Sequence, residues 1–300
     1  MRLLAATFSV ALTPLVAFAA EVTVPAWDGT ATVETSPKSV VAFDLAAIDT
    51  LNALGVTLDG IPSVAAPTYL KDVFEETNTV GTLFEPDLEA LAILGPDLIV
   101  AGGRSQEAIG AMREVAPTLD MTIEGEDLLA ESKARTKAYG AIFEKEAEAA
   151  ELIGALDAKL EDVRSVVADK GNALILMTNG GKLSAYGDDS RFGWLHTETG
   201  IPEAYPDVTA EDHGQSVSFE FIADVNPDWI LVIDRLSAIG REGEAAAATL
   251  DNPLVAGTTA GTKGQIIYLD SAALYLAAGG ATATQIVLDQ LIEGYATAGS

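Results

Sequence analysis

No cysteine occurs among the 300 residues. That excludes disulfides, thiolate metal sites, cysteine nucleophiles and an acylated cysteine as membrane tether. Histidine is nearly as scarce, with only His196 and His213, so a cage of three or four imidazoles around bare zinc or manganese cannot be built. Positive charge is the third shortage: 17 Lys and Arg stand against 45 Asp and Glu, a formal net charge of −28. A chain so acidic repels nucleic acid and anionic lipid, and neither is expected as a partner. The sequence also lacks Gly-x-Ser-x-Gly, Gly-x-x-x-x-Gly-Lys-Ser/Thr, His-Glu-x-x-His and a Gly-x-Gly-x-x-Gly following a strand. No catalytic residue is therefore assigned, and an enzyme is not expected.

The amino-terminal segment carries Arg2, then an apolar run, then Ala17-Phe-Ala19 as a small-x-small cleavage site. This reads as a secretory signal over residues 1–20, too short for a span and not followed by a stop-transfer segment. An untethered protein of an exported compartment is expected, most simply a bacterial periplasm. The 49% hydrophobic content is ample for cores, and 300 residues suit two domains of ordinary size.

An internal repeat supports two domains. Glu89, Ala92, Pro96, Asp97, Ile99 and Arg104 recur as Glu220, Ala223, Pro227, Asp228, Ile230 and Arg235, each 131 positions later. Each copy reads as an apolar helix, a Pro-Asp turn, a short run of Ile, Val and Leu, and a closing arginine. Ligands of open α/β sheets meet the carboxyl ends of strands, which is where both arginines fall.

The fold class expected is α/β, with two Rossmann-like lobes joined by a single long α-helix and the ligand cleft between them. The lobes are placed at 21–143 and 170–300. Strands are expected at Val40–Asp44, Gly60–Ser63, Asn172–Thr178 and Gln265–Asp270, a hairpin around Trp27-Asp-Gly29, a helix at Leu45–Leu54 and a closing helix at Ala281–Tyr295. Between the repeat copies, 144–169 is rich in Ala, Glu, Leu and Lys. Ile153, Leu156, Leu160, Val163 and Val167 form one apolar stripe there. A linker helix of roughly 36 Å would allow only small lobe motions.

Seven arginines follow the signal, and Arg104, Arg191 and Arg235 lie in loops after strands. Three guanidinium forks converging on one cleft would suit an anionic ligand with paired oxygens, whereas separate surface ion pairs would be the mundane alternative. Arg113, Arg135, Arg164 and Arg241 have ordinary surface contexts. His196, within a helical stretch, reads as structural. His213, in the loop Ala210-Glu-Asp-His-Gly-Gln-Ser-Val217, is a candidate ligand.

These segments resemble the helical-backbone substrate-binding proteins of bacterial ABC importers, in the subgroup that carries ferric siderophores. The resemblance covers nearly the whole chain after the signal. Val80-Gly-Thr-Leu-Phe-Glu-Pro-Asp-Leu-Glu89 and His213-Gly-Gln-Ser-Val-Ser-Phe-Glu220, each with its Pro-Asp strand, look like the two lobe signatures. Ser190-Arg-Phe-Gly193 and Leu274-Tyr-Leu-Ala-Ala-Gly-Gly280 look like segments of the catecholate-binding members.

The resemblance implies that Arg104, Arg191 and Arg235 surround an anionic ferric complex, and that His213 and Tyr275 complete the iron shell when the siderophore offers only four oxygens. Ferric iron favours phenolate oxygen and accepts imidazole. It further implies that Glu89 and Glu220, with Glu85 a weaker substitute for the first, dock on the inner-membrane permease and its ATPase. Glutamates at helix starts are also favoured by the helix dipole alone. No cofactor of its own is expected, the ligand being an Fe3+-siderophore complex, and a monomer is expected. Haem, cobalamin or a hydroxamate siderophore is the alternative cargo on this scaffold, and an exported two-lobed α/β enzyme the remoter one.

Overall fold

The computed structural model describes residues 20–123, 127–208 and 214–297. The expected signal, save its last residue Ala20, and His213 therefore lie outside the described residues. A hairpin of β1 (Glu21–Ala26) and β2 (Gly29–Glu34) forms its own two-stranded sheet. The first lobe follows, with β3 (Val40–Ala42), β4 (Gly60–Ser63), β5 (Asn78–Thr82), β6 (Leu98–Ala101) and β7 (Thr118–Asp120) in the order β5-β4-β3-β6-β7. All its pairings are parallel.

The second lobe has β8 (Ala173–Asn179), β9 (Lys182–Tyr186), β10 (Gln215–Val217), β11 (Trp229–Asp234) and β12 (Ile266–Tyr268) in the order β10-β9-β8-β11-β12. Here β8, β11 and β12 run parallel, while β9 and β10 add an antiparallel flank. The central strands are buried on both faces, as their unbroken runs of Val, Ile and Leu require.

The repeat is a structural repeat as well as a sequence one. The helices Leu88–Leu94 and Phe219–Val225 end at Gly95 and Asn226, both left-handed, with φ of 61° and 48°. Such a cap favours glycine first and asparagine next. The aspartates that follow tie each strand to the entrance of its neighbour. Asp97 Oδ2 accepts from the amides of Lys38 and Ser39, at the start of β3, and Asp228 Oδ2 accepts from Asn172 N, at the start of β8. Pro-Asp is thus a register device.

The linker is the 22-residue helix Glu146–Val167, about 33 Å long at 1.5 Å per residue. Leu156, Leu160, Val163 and Val167 are buried, and Ile153 is half-buried. Salt bridges tie the linker to both sides, Lys133–Asp157 to the helix Leu128–Ile142 and Lys159–Asp289 to the closing helix Ala281–Thr297. One apolar cluster crosses the lobe boundary, joining Leu45, Leu128 and Leu129 to Leu160, Val287 and Leu288. The helix Leu128–Ile142 is missing from the sequence-based reading. Its stretch mixes Ser132, Arg135, Thr136 and Gly140 into the buried face, so no clean stripe marks it.

The start of the closing helix is held by the first lobe. Thr50 Oγ1 accepts from Ala281 N at 3.1 Å, and Asp49 Oδ2 accepts from Thr282 N and Ala283 N at 2.8 and 2.9 Å. Just upstream, Ser132 Oγ donates to Gly279 O at 2.6 Å. Asp49 is fully buried. Burial pushes its carboxyl up to about 6, against the lowering effect of those amides.

Candidate ligand cleft

The cleft lies at the carboxyl ends of the central strands of both sheets. In the first lobe these are β3, continued by Phe43 and Asp44, and β6, continued by Gly102-Gly103-Arg104. In the second they are β8, ending at Asn179, and β11, followed at once by Arg235. The first-lobe pair sits where the strand order reverses, the position at which open parallel sheets part and leave a crevice.

Tyr275 ends the short helix Ser271–Tyr275, and three arginines meet on it. Arg104 Nη2 donates to Tyr275 O at 2.8 Å and Nη1 to Leu276 O at 3.3 Å. Arg191 Nη2 donates to the same Tyr275 carbonyl at 3.0 Å. Arg235 Nε donates to the Tyr275 phenol oxygen at 3.1 Å, and its Nη1 reaches Asn179 Oδ1 at 3.4 Å. The guanidinium carbons lie 5.2, 4.7 and 5.8 Å from the tyrosine ring centre for Arg104, Arg191 and Arg235. These are cation–π distances. All four side chains are half-buried, and no carboxylate bridges any of the three arginines among the described residues, so the alternative of separate surface ion pairs does not apply.

The clustering has electrostatic consequences. Burial alone would raise the Tyr275 phenol. The Arg235 hydrogen bond and the charges of Arg235, Arg191 and Arg104 outweigh it and hold the phenol below the ordinary tyrosine value. Arg191 is lowered by burial first and by Arg104 second, the signature of like charges kept together in a partly dry site. Asp44 is raised by burial, opposed by the amide of Ala46 and by the Arg104 charge.

Two cavities flank this centre and share Arg191 and Tyr275. The first-lobe cavity, about 310 Å³, is lined by Phe43, Asp44, Leu83, Gly103, Arg104 and Ile123 among others. The second-lobe cavity, about 410 Å³, is lined by Met177, Asn179, Lys182, Ser184, Tyr186, Ser216 and Arg235. Tyr186 is buried, edge-on to Phe192 with ring centres 4.8 Å apart, and its phenol is pushed up to about 12 by burial.

Four of the five ligand residues read from sequence thus come together, and His213 lies outside the described residues. His196 is buried, its Nδ1 2.9 Å from Ile201 O, as a structural histidine. Arg135 is a correction: it is buried, not on the surface, and Nη2 donates to Thr122 O at 2.9 Å. Thr122 Oγ1 in turn accepts from Gly103 N at 3.0 Å, so Arg135 backs the loop that carries Arg104. Lys182, Ser184 and Tyr186 escaped the sequence reading although Asn179-Gly180 is a hairpin-turn signal and the residues after it alternate. Glu89 and Glu220 are both exposed at the second position of their helices, capped by Asp87 and Ser218, well matched across the repeat. Among the described residues no group of three or more His, Cys, Asp or Glu could hold a bare metal ion, and no helix is long and apolar enough to cross a membrane.

Residues 40–273 match the profile of the periplasmic binding protein family. The chain belongs to that family. It is 35% identical to the petrobactin-binding protein YclQ of Bacillus subtilis, over 86% of this chain and 83% of that one. To the ferric-anguibactin-binding protein FatB of Vibrio anguillarum it is 29% identical, over 89% and 85%. The crystal structure of YclQ superposes with a TM-score of 0.86 over 92% of this chain and 99% of that one, at 33% identity. That of the catecholate-siderophore-binding protein VctP of Vibrio cholerae gives 0.84 over 91% and 99%, at 30% identity. The two-lobed α/β architecture read from the internal repeat is that of this family.

Proposed function

We propose that this periplasmic binding protein captures a ferric siderophore, of catecholate or mixed catecholate type, and delivers it to an inner-membrane ABC importer. The observation that carries the reading is the convergence of Arg104, Arg191 and Arg235 on Tyr275. Three permanent cations, brought by the 3-10 helix Gly103–Ala108, the turn at Arg191 and the start of the helix Arg235–Ala238, need a polyanion to balance them. A catecholate ferric complex has that charge and presents paired oxygens to guanidinium forks.

Tyr275, with its phenol already lowered, supplies an oxygen suited to ferric iron, and His213 supplies a nitrogen, when the siderophore leaves coordination sites open. The linker helix and the hydrogen bonds around Asp49 favour small lobe movements. Glu89 and Glu220 face the permease, one from each lobe. The protein acts as a monomer, without a cofactor of its own, and performs no covalent chemistry.

The overall negative charge repels an anionic ligand beyond a Debye length of about 8–10 Å, so affinity rests on the local arginine cup. Titration with ferric catecholate complexes, followed by intrinsic tryptophan fluorescence and the catecholate-to-iron charge-transfer band, tests the reading. Saturable binding at or below micromolar ligand supports it, and no binding in that range refutes it.

A further inference from the structure

The second-lobe cavity is walled by one face of an antiparallel ribbon. Side chains alternate along strands, so β9 presents Lys182, Ser184 and Tyr186 to the same side. The register places Asn179 opposite Lys182, Met177 and Ser216 on either side of Ser184, and Ile175 opposite Tyr186. Beside Tyr186 the backbone of Gly214 takes φ of 70° and lies so close that a Cβ there would come within 2.7 Å of the ring. The face is therefore graded. It is aromatic and dry at the Tyr186 end, hydroxylated in the middle, and cationic at the exposed end, where Lys182 stands beside the Asn179 that Arg235 contacts.

Charge separates the two cavities. Among the described residues the first-lobe cavity has Arg104 and Arg191 with the carboxyl of Asp44. The second-lobe cavity has Lys182, Arg191 and Arg235 and, among the described residues, no carboxyl group. Among the described residues Lys182 makes no salt bridge, in a chain where acids exceed bases 45 to 17. An excess anion on a ligand is accommodated better on the second-lobe side.

We propose that Lys182 is a fourth cationic contact for the ligand, and that this ribbon face selects ferric complexes whose arm bears an extra carboxylate over those whose arm ends neutral. The inference rests on the siderophore reading. An aromatic donor ring would lie against Tyr186 and Met177, with its outward substituent reaching the hydroxyls of Ser184 and Ser216 and the ammonium of Lys182. An ammonium is a mobile point charge, suited to a terminal carboxylate, while the arginines hold the planar chelate.

The test uses two ferric bis-catecholate probes on one linker, identical except for a pendant carboxylate or the corresponding carboxamide. Fluorescence titration of the full protein gives the ratio of their dissociation constants. The wild type should favour the carboxylate by about tenfold at low salt, Lys182→Gln should reduce the ratio below about twofold, and Lys182→Arg should retain most of it. Lys263→Gln, an exposed lysine remote from the cleft, should leave the ratio unchanged. Equal wild-type affinities, or a preference that survives Lys182→Gln, would overturn the role of Lys182. Failure of the wild type to bind either probe would overturn the siderophore reading itself, which is a separate result.

Discussion

Arg235 donates its Nε hydrogen to the phenol oxygen of Tyr275 at 3.1 Å, while Arg104 and Arg191 hold the backbone carbonyl of the same residue at 2.8 and 3.0 Å. One tyrosine therefore anchors three cations through two different groups. Tyr275→Phe removes only the hydroxyl, leaving the ring and the carbonyl contacts of Arg104 and Arg191. Affinity for ferric complexes with four siderophore oxygens should fall by about tenfold or more, and for six-oxygen complexes by less than about threefold. Fluorescence titration with one complex of each kind measures the difference, and equal losses would contradict coordination by the tyrosine.

The lowered phenol of Tyr275 gives a pH signature. Because the native value is depressed below the free tyrosine value of about 10, the phenolate forms at lower pH in the native protein than in the unfolded chain. The associated stability is present above about 10 and is lost as pH falls through the depressed value. In a near-ultraviolet phenolate titration, one tyrosine should ionise ahead of the others, and Arg235→Met should move that step to higher pH.

Asp49 predicts the opposite slope. Its carboxyl is raised from 3.8 to about 6, so its contribution to stability is fully present below about 4 and is lost as pH rises through about 6. Asp49→Asn keeps an oxygen for the amides of Thr282 and Ala283 and removes the buried charge. At pH 7 the variant should gain on the order of 1–3 kcal/mol over the wild type, and the gain should vanish near pH 4. Urea unfolding at the two pH values checks this; a variant less stable at both would show that the charge is favoured by the helix start.

Much of this fold is legible in the sequence because each lobe repeats one local solution. Apolar helix, Pro-Asp tether and buried strand are all encoded within about fifteen residues, so Asp97 and Asp228 announce themselves by spacing, whereas the left-handed caps at Gly95 and Asn226, different residues in the two copies, do not. Arg104, Arg191 and Arg235 could be picked out as loop cations following strands. That they share a single anchor could not, since Tyr275 lies 171 positions from Arg104 and the decisive acceptor is a backbone carbonyl, which every residue has. Arg135 misled for a related reason: its partner, the carbonyl of Thr122, leaves no trace in residue type.

The paired glutamates should separate binding from transport. Both are exposed, and each lies at the start of the helix that precedes its lobe's strand, fifteen positions before the cleft arginine of the same repeat copy. The double variant Glu89→Lys, Glu220→Lys should bind the ferric complex within about twofold of wild type, yet support iron uptake in cells at least about tenfold less well. Normal uptake by the double variant would remove these residues from the docking surface.

The most direct measurement is the affinity for a ferric catecholate of wild-type protein against Arg104→Ala, Arg191→Ala and Arg235→Ala, singly and together, at fixed salt. Each single loss should weaken binding by about ten- to a hundredfold, and the triple variant should show no saturable binding at micromolar ligand. A triple variant that binds as tightly as wild type would contradict the claim that these three cations, gathered on Tyr275, are what hold the ligand.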